Sequence, residues 1–119
     1  MTEFRQKLGN WGEKKAVEYL IERGYLIREK NYYNKYGEID IIAEKNEILI
    51  FVEVKTYNNN RFGPPQGSVD FKKQLQIKKL AGFYLSNNNF KNLSIRFDVI
   101  AIKIKDRKGY LNHFQNAFY

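Results

Sequence analysis

Cysteine is absent from this sequence, which removes disulfides, thiolate zinc sites and cysteine nucleophiles together. His113 is the only histidine, so histidine-based metal centres and Ser-His-Asp chemistry are not expected. Long apolar runs are missing as well. The longest unbroken aliphatic and aromatic stretch, Ile48–Val52, is far too short to span a bilayer, and Met1–Lys7 lacks a secretory apolar region. A cytoplasmic protein with no membrane association is therefore expected. There is no internal repeat, and low complexity is confined to short asparagine runs. What remains for chemistry is carboxylate, lysine, amide and hydroxyl.

Positive charge is abundant. Lysine and arginine outnumber aspartate and glutamate by 21 to 13, for a formal net charge of +8. Such an excess attracts polyanions, nucleic acid first among them. The 119 residues are 43% apolar and 16% aromatic, enough for one domain, residues 1–119, around a single core.

Gly37–Lys55, GEIDIIAEKNEILIFVEVK, carries the strongest pattern. Glu38–Ala43 and Ile48–Lys55 are β-branched strands, with Lys45-Asn46 as the expected hairpin turn. With Glu44 and Glu47 flanking that turn, Asp40 faces Phe51 and Glu38 faces Glu53. Asp40 and Glu53 then become diagonal neighbours, about 7 to 8 Å apart at the backbone. Period-two alternation puts Glu38, Asp40, Glu53 and Lys55 on one face.

Upstream, a helix is expected from about Phe4 to Arg23, with Gly24 as C-cap and an apolar stripe of Ala16, Val17, Leu20 and Ile21. Glu13 lies on this stripe, where a charge is costly unless paired or metal-bound; a frayed first turn would instead leave it in solvent. Tyr25–Lys30 reads as a strand and Asn31–Tyr36 as a polar aromatic turn. Downstream, residues 58–65 form a loop that is either a flap over the acidic face, with Arg61 available for a phosphate, or a plain connector. Ser68 or Asp70 caps a helix to about Leu85, with the stripe Ile77, Leu80, Ala81 and Tyr84. Lys73 and Gln74 sit at its near side, reaching toward the site or snorkelling to water, whereas Lys72 faces away. Leu93–Ile104 reads as an internal strand with a structural Arg96–Asp98 ion pair. Lys103, Lys105, Arg107 and Lys108 make a basic turn, followed by a strand Tyr110–Phe114 and a packed tail. A helix followed by a meander of strands implies an α/β or mixed α+β sheet flanked by helices.

Asp40 followed by Glu53-x-Lys55 has the chemistry of metal-assisted phosphodiester hydrolysis. Hard carboxylate oxygens suit Mg2+ or Mn2+, which retain water and take oxygen from substrate phosphate. Lys55 would orient or deprotonate the attacking water, and Glu13 would complete the metal set with Asp40 and Glu53. Glu38 shares the face and is assigned a supporting role. Lys72, Lys73, Gln74, Arg61, Lys105, Arg107 and Lys108 are the expected contacts to a nucleic-acid backbone. An edge hairpin with solvated, paired charges is the plain alternative, and both strands are too apolar on both faces for it.

Gly9-Asn10-Trp11-Gly12-Glu13, Ala16, Tyr19-Leu20, Gly24-Tyr25, Asn31, GEIDIIA, FVEVK, Phe62-Gly63, Lys73-Gln74 and Arg96-Phe97-Asp98-Val99 resemble the YraN-type family of small bacterial proteins, nearly end to end. That family is similar to the restriction-endonuclease-like nucleases with a PD-(D/E)xK core, archaeal Holliday junction resolvases among them. The resemblance implies a central mixed sheet flanked by helices and a nuclease site of Glu13, Asp40, Glu53 and Lys55, acting on DNA, including branched or repair intermediates. Ile39 stands where many of those nucleases have proline. Junction resolvases of related fold act as symmetric dimers, which leaves a homodimer open. A nucleic-acid-binding module that keeps the fold without turnover is the rival reading.

Overall fold

Strands rich in β-branched residues and two helices, each burying one apolar stripe, produce a five-stranded mixed sheet with a helix on each face. The structure, a computed structural model, describes residues 3–58, 65–88 and 93–119. Its elements run α1 (Glu3–Glu22), β1 (Leu26–Asn34), β2 (Gly37–Lys45), β3 (Ile48–Tyr57), α2 (Phe71–Asn87), β4 (Ser94–Lys105) and β5 (Lys108–Phe118). The sheet order is β1-β2-β3-β4-β5. All neighbours pair antiparallel except β3 and β4, which are parallel and joined through α2. A parallel pair requires such a crossover, because a tight turn cannot reverse the chain twice.

Helix α1 ends in a Schellman motif. Gly24 adopts φ 85°, the Tyr25 N–H donates to the Leu20 carbonyl at 3.0 Å, and the Gly24 N–H donates to the Ile21 carbonyl at 3.0 Å. Ala16 and Leu20 are fully buried, packing with Ile41, Ala43, Ile50, Val52, Ile100 and Ile102. Ile21, expected on the stripe, is instead 56% exposed, because the buried face of α1 is narrower than the sequence pattern. On the other face, α2 buries the expected stripe Ile77, Leu80, Ala81 and Tyr84 against Ile39, Ile42, Leu49, Phe51 and Val99. Asp70 caps α2 by accepting from the Lys73 N–H at 2.8 Å. Burying each large side chain such as Phe51 or Leu20 contributes about 2 kcal/mol.

Three local features depart from the sequence reading. The β2–β3 turn is Asn46-Glu47, both left-handed (φ 51° and 64°), so Lys45 pairs with Ile48 and Ile42 with Phe51. The register is therefore two residues from the expected one. A shift of two preserves the faces of the paired residues Ile41–Lys45 and Ile48–Val52, and Glu53 stays grouped with Lys55 because both lie on β3. Strand β1 also continues through the expected turn to Asn34, carrying a left-handed residue, Asn31 (φ 54°), in its interior. Finally, β5 absorbs the expected tail, with a bulge between the Phe97 and Val99 pairings.

The break at Asn31 has a partner across the ladder. Ile39 belongs to the core under α2, whereas Ile41, two residues on, belongs to the core under α1. Strict alternation would place them on one face. The strand thus changes phase at Asp40, and ladder pairing between β2 and β3 ends at Ile41↔Val52.

Candidate active site where β2 and β3 part

Asp40 sits at this phase change. With the ladder ended, its carboxylate takes the place of a backbone acceptor: the Val54 N–H donates to Asp40 Oδ2 at 2.7 Å. That bond holds the acid in the opening between the strands, where groups from both helices reach it. Glu13 approaches from α1. Its neighbour Gly12 permits this, because a Cβ there would lie 2.0 Å from Thr56 Oγ1. Carboxylate oxygens of Glu13, Glu38 and Asp40 all lie within 4.8 Å of one another. A cavity of about 270 Å³ opens beside Glu13 and Asp40 and is bordered by Asn10, Lys30 and Asn31.

From the other face come the β3 residues. Glu53 lies within the field of the Asp40 carboxylate, and its side chain, 15% exposed, reaches to 3.8 Å from Lys73 Nζ. Lys55 donates its ammonium to the Ser68 carbonyl. Asp40 is thus the member common to two sets, one with Glu13 and Glu38 and one with Glu53. The structure brings Glu38 closer to Glu13 than its assigned supporting role implied.

Crowding acidic groups in a half-dry opening shifts their protonation. Burial first, then the charges of Asp40 and Glu38, push the Glu13 carboxyl up to about 7. Burial and the Asp40 charge push Glu53 up to about 8, against the opposing pull of Lys73. Glu38 is raised by burial and by Asp40. Burial lowers the Lys55 ammonium, with Glu53 and Asp70 pulling the other way. Such an arrangement is relieved by a cation.

Sequence reasoning missed three contributors. Carboxylate oxygens accept, so the Asn31 amide turns its NH2 toward them, donating to Glu38 Oε1 at 2.7 Å and Glu13 Oε2 at 2.9 Å. The available signal was an asparagine inside a strand, a residue type that tolerates left-handed φ. Gly12 and the Ser68 carbonyl act through close approach, which neither composition nor periodicity registers, although Gly12 belongs to the motif that carries the family resemblance. Among the expected backbone contacts, Lys72 is exposed on α2, while the Gln74 amide is engaged with the Val69 carbonyl at 2.7 Å. Lys105, Arg107 and Lys108 form the exposed β4–β5 turn. Because Lys55 is level with Ala101, this turn lies at the same end of the sheet, about 13 Å further along at the usual strand rise. Arg61 lies outside the described residues.

Arg96 and Asp98 form the expected ion pair, at 2.8 and 2.9 Å. Fully buried Asp98 also contacts His113 Nε2 at 2.7 Å and accepts from the Asn116 N–H at 3.0 Å. Burial alone would raise this carboxyl; the hydrogen bonds from His113, Arg96 and Asn116 outweigh it and hold it below the ordinary range. These contacts occupy the only histidine away from the acidic opening.

The profile of the Uncharacterised protein family UPF0102 matches residues 12–102. The chain belongs to this family. A UPF0102 protein of Clostridioides difficile is 49% identical over 110 residues, covering 92% of this chain and 95% of that protein. A UPF0102 protein of Dictyoglomus turgidum is 46% identical over 115 residues, 95% of this chain and 98% of that one. One from Syntrophomonas wolfei is 42% identical over 113 residues, with 95% and 98% covered. The UPF0102 match begins at Gly12, so it spans Glu13, Asp40, Glu53 and Lys55.

No helix among the described residues is long and apolar enough to cross a membrane.

Proposed function

We propose that this UPF0102 protein is a Mg2+- or Mn2+-dependent nuclease of the restriction-endonuclease-like, PD-(D/E)xK type, hydrolysing phosphodiester bonds in DNA. The observation that carries the reading is Asp40, within 4.8 Å of the Glu13 and Glu38 oxygens on one side and close enough to Glu53 on the other for its charge to raise that carboxyl, with Lys55 on the Glu53 face two residues beyond. The donor set fits the metal: it offers oxygen only, no thiolate and no free imidazole, and burial, then the neighbouring Asp40 charge, raises Glu13 and Glu53. Asp40, Glu53 and Glu13 would hold the ion. When bound, such an ion polarises a phosphoryl oxygen and lowers the pKa of a coordinated water. Lys55 is positioned by the Ser68 carbonyl to orient that water and to offset charge developing on the phosphorus. Its lowered pKa favours giving and taking a proton. Lys73 steadies Glu53, and Lys72 and the turn at Lys105, Arg107 and Lys108 hold the backbone.

The test is incubation of pure protein with plasmid, single-stranded and four-way-junction DNA plus Mg2+ or Mn2+. Cleavage abolished by Lys55→Ala and by Glu53→Gln is expected. Cutting by Lys55→Ala at the wild-type rate refutes the assignment. Salt-dependent binding with no cleavage on any substrate would mark a binding module instead.

A further inference from the structure

Helix α2 has a second face, which includes Lys72 and lies outside the acidic opening itself. Its seventeen residues, FKKQLQIKKLAGFYLSN, include four lysines and no acid. Opposite the buried stripe, Phe71, Leu75, Lys79 and Phe83 succeed one another at intervals of four, forming a ridge about 18 Å long. Phe71 is 69% exposed and Leu75 51%. At the far end, Phe83 stacks on Tyr36 (centroids 5.3 Å apart, planes 11°), and Lys79 Nζ lies 3.9 Å over the Tyr36 ring. The near end begins at Phe71, two residues before Lys73 and its contact with Glu53.

The geometry points to this ridge as a track for unpaired nucleic acid leading from the acidic opening, with Phe71 as the stacking platform for a base and Lys72 and Lys79 as phosphate contacts. Aromatic rings interleaved with lysines on an acid-free helix match a ligand that is both polyanionic and flat-faced. In a duplex the base faces are covered by their neighbours, so a protruding phenylalanine gains nothing from them; an unpaired strand offers those faces freely. The charge also selects against the rival occupant, an amphipathic basic protein segment. This inference deepens the nuclease reading by naming its substrate as DNA with an unpaired stretch, and rests on that reading only for where the strand leads.

The test is fluorescence anisotropy of the full chain with a labelled oligothymidylate and with a duplex of equal length, in EDTA. Tighter binding to the single strand is expected. Phe71→Ala should weaken that binding about tenfold and leave duplex binding and the melting curve unchanged, while Phe71→Trp should restore it. Equal affinity for both forms, or an unaffected Phe71→Ala, overturns the inference. Failure to bind either form also overturns it and leaves the ridge to a protein partner. Without divalent ion the titration does not depend on cleavage. A protein that binds as expected and never cuts refutes the nuclease reading alone; one that cuts while Phe71→Ala binds normally refutes the track alone.

Discussion

Replacing Asp40 by asparagine should make the metal-free protein more stable at alkaline pH while abolishing its affinity for divalent ions. The Asp40 charge is among the causes that raise both Glu13, to about 7, and Glu53, to about 8. A carboxyl whose folded-state pKa lies above its ordinary value favours folding fully only below that ordinary value. Stability is then lost as pH climbs from about 4.5 through 7 and 8. Two unit charges 4 Å apart at an effective dielectric of 20 repel by about 4 kcal/mol. Glu13 is only partly shielded from solvent, so most of the relief comes from Glu53, and a net gain of about 1–2 kcal/mol is expected. For a chain of this length that raises Tm by roughly 4–8 °C. The asparagine oxygen still accepts from the Val54 N–H, so the strand opening is retained. At low pH the sign should vanish or reverse, because protonated Glu13 and Glu53 donate better to a carboxylate than to an amide. Thermal melts of both proteins across this pH range in EDTA, repeated with Mn2+, measure it. Added metal should raise the wild-type Tm and leave that of Asp40→Asn unmoved. An Asp40→Asn protein that melts below wild type at every pH would show that these acids are not in electrostatic conflict.

Metal binding should release protons, since Glu13 and Glu53 bind metal ionised: roughly one to two per ion below neutral pH, falling toward none above about 8. Titration calorimetry in buffers of different ionisation enthalpy counts them, and a pH-independent enthalpy would contradict the assignment. Gly12→Ala should destabilise by about 1–3 kcal/mol, because its Cβ falls 2.0 Å from Thr56 Oγ1, and should weaken metal binding by displacing Glu13. Adding Thr56→Ala should recover part of both losses, seen by melting and by metal titration.

How much could be read from the residues depended on which periodicity survived. The α2 stripe was legible because Ile77, Leu80, Ala81 and Tyr84 recur at helical spacing and nothing competes with it. The Arg96–Asp98 pair was legible because opposite charges two apart on an apolar strand have few other uses. The hairpin register was not, since Lys45-Asn46 and Asn46-Glu47 are equally polar turns and the choice rests on left-handed φ at two residues. Grouping Glu53 with Lys55 did not depend on the register, because both lie on β3, where alternation along one strand sets the face. The nearness of Glu38 to Glu13 did not follow. It depends on the phase change at Asn31 and Asp40, where a tertiary contact overrides the alternation from which faces are inferred. The β1 extension to Asn34 was hidden for the same reason: an asparagine with φ 54° in mid-strand has the appearance of a turn.

The hydrogen bond from the Val54 N–H to Asp40 Oδ2 gives the protein a built-in spectroscopic reporter. This backbone amide is held by a carboxylate side chain at a point where the β2–β3 ladder has ended. Its nitrogen and proton shifts, and its rate of exchange with deuterium, should therefore follow whatever happens at Asp40, whether a proton, a divalent ion or a substrate phosphate draws on the same carboxylate. A single resonance would then register occupancy of the opening on a substrate-free sample, before any reaction product needs to be sought.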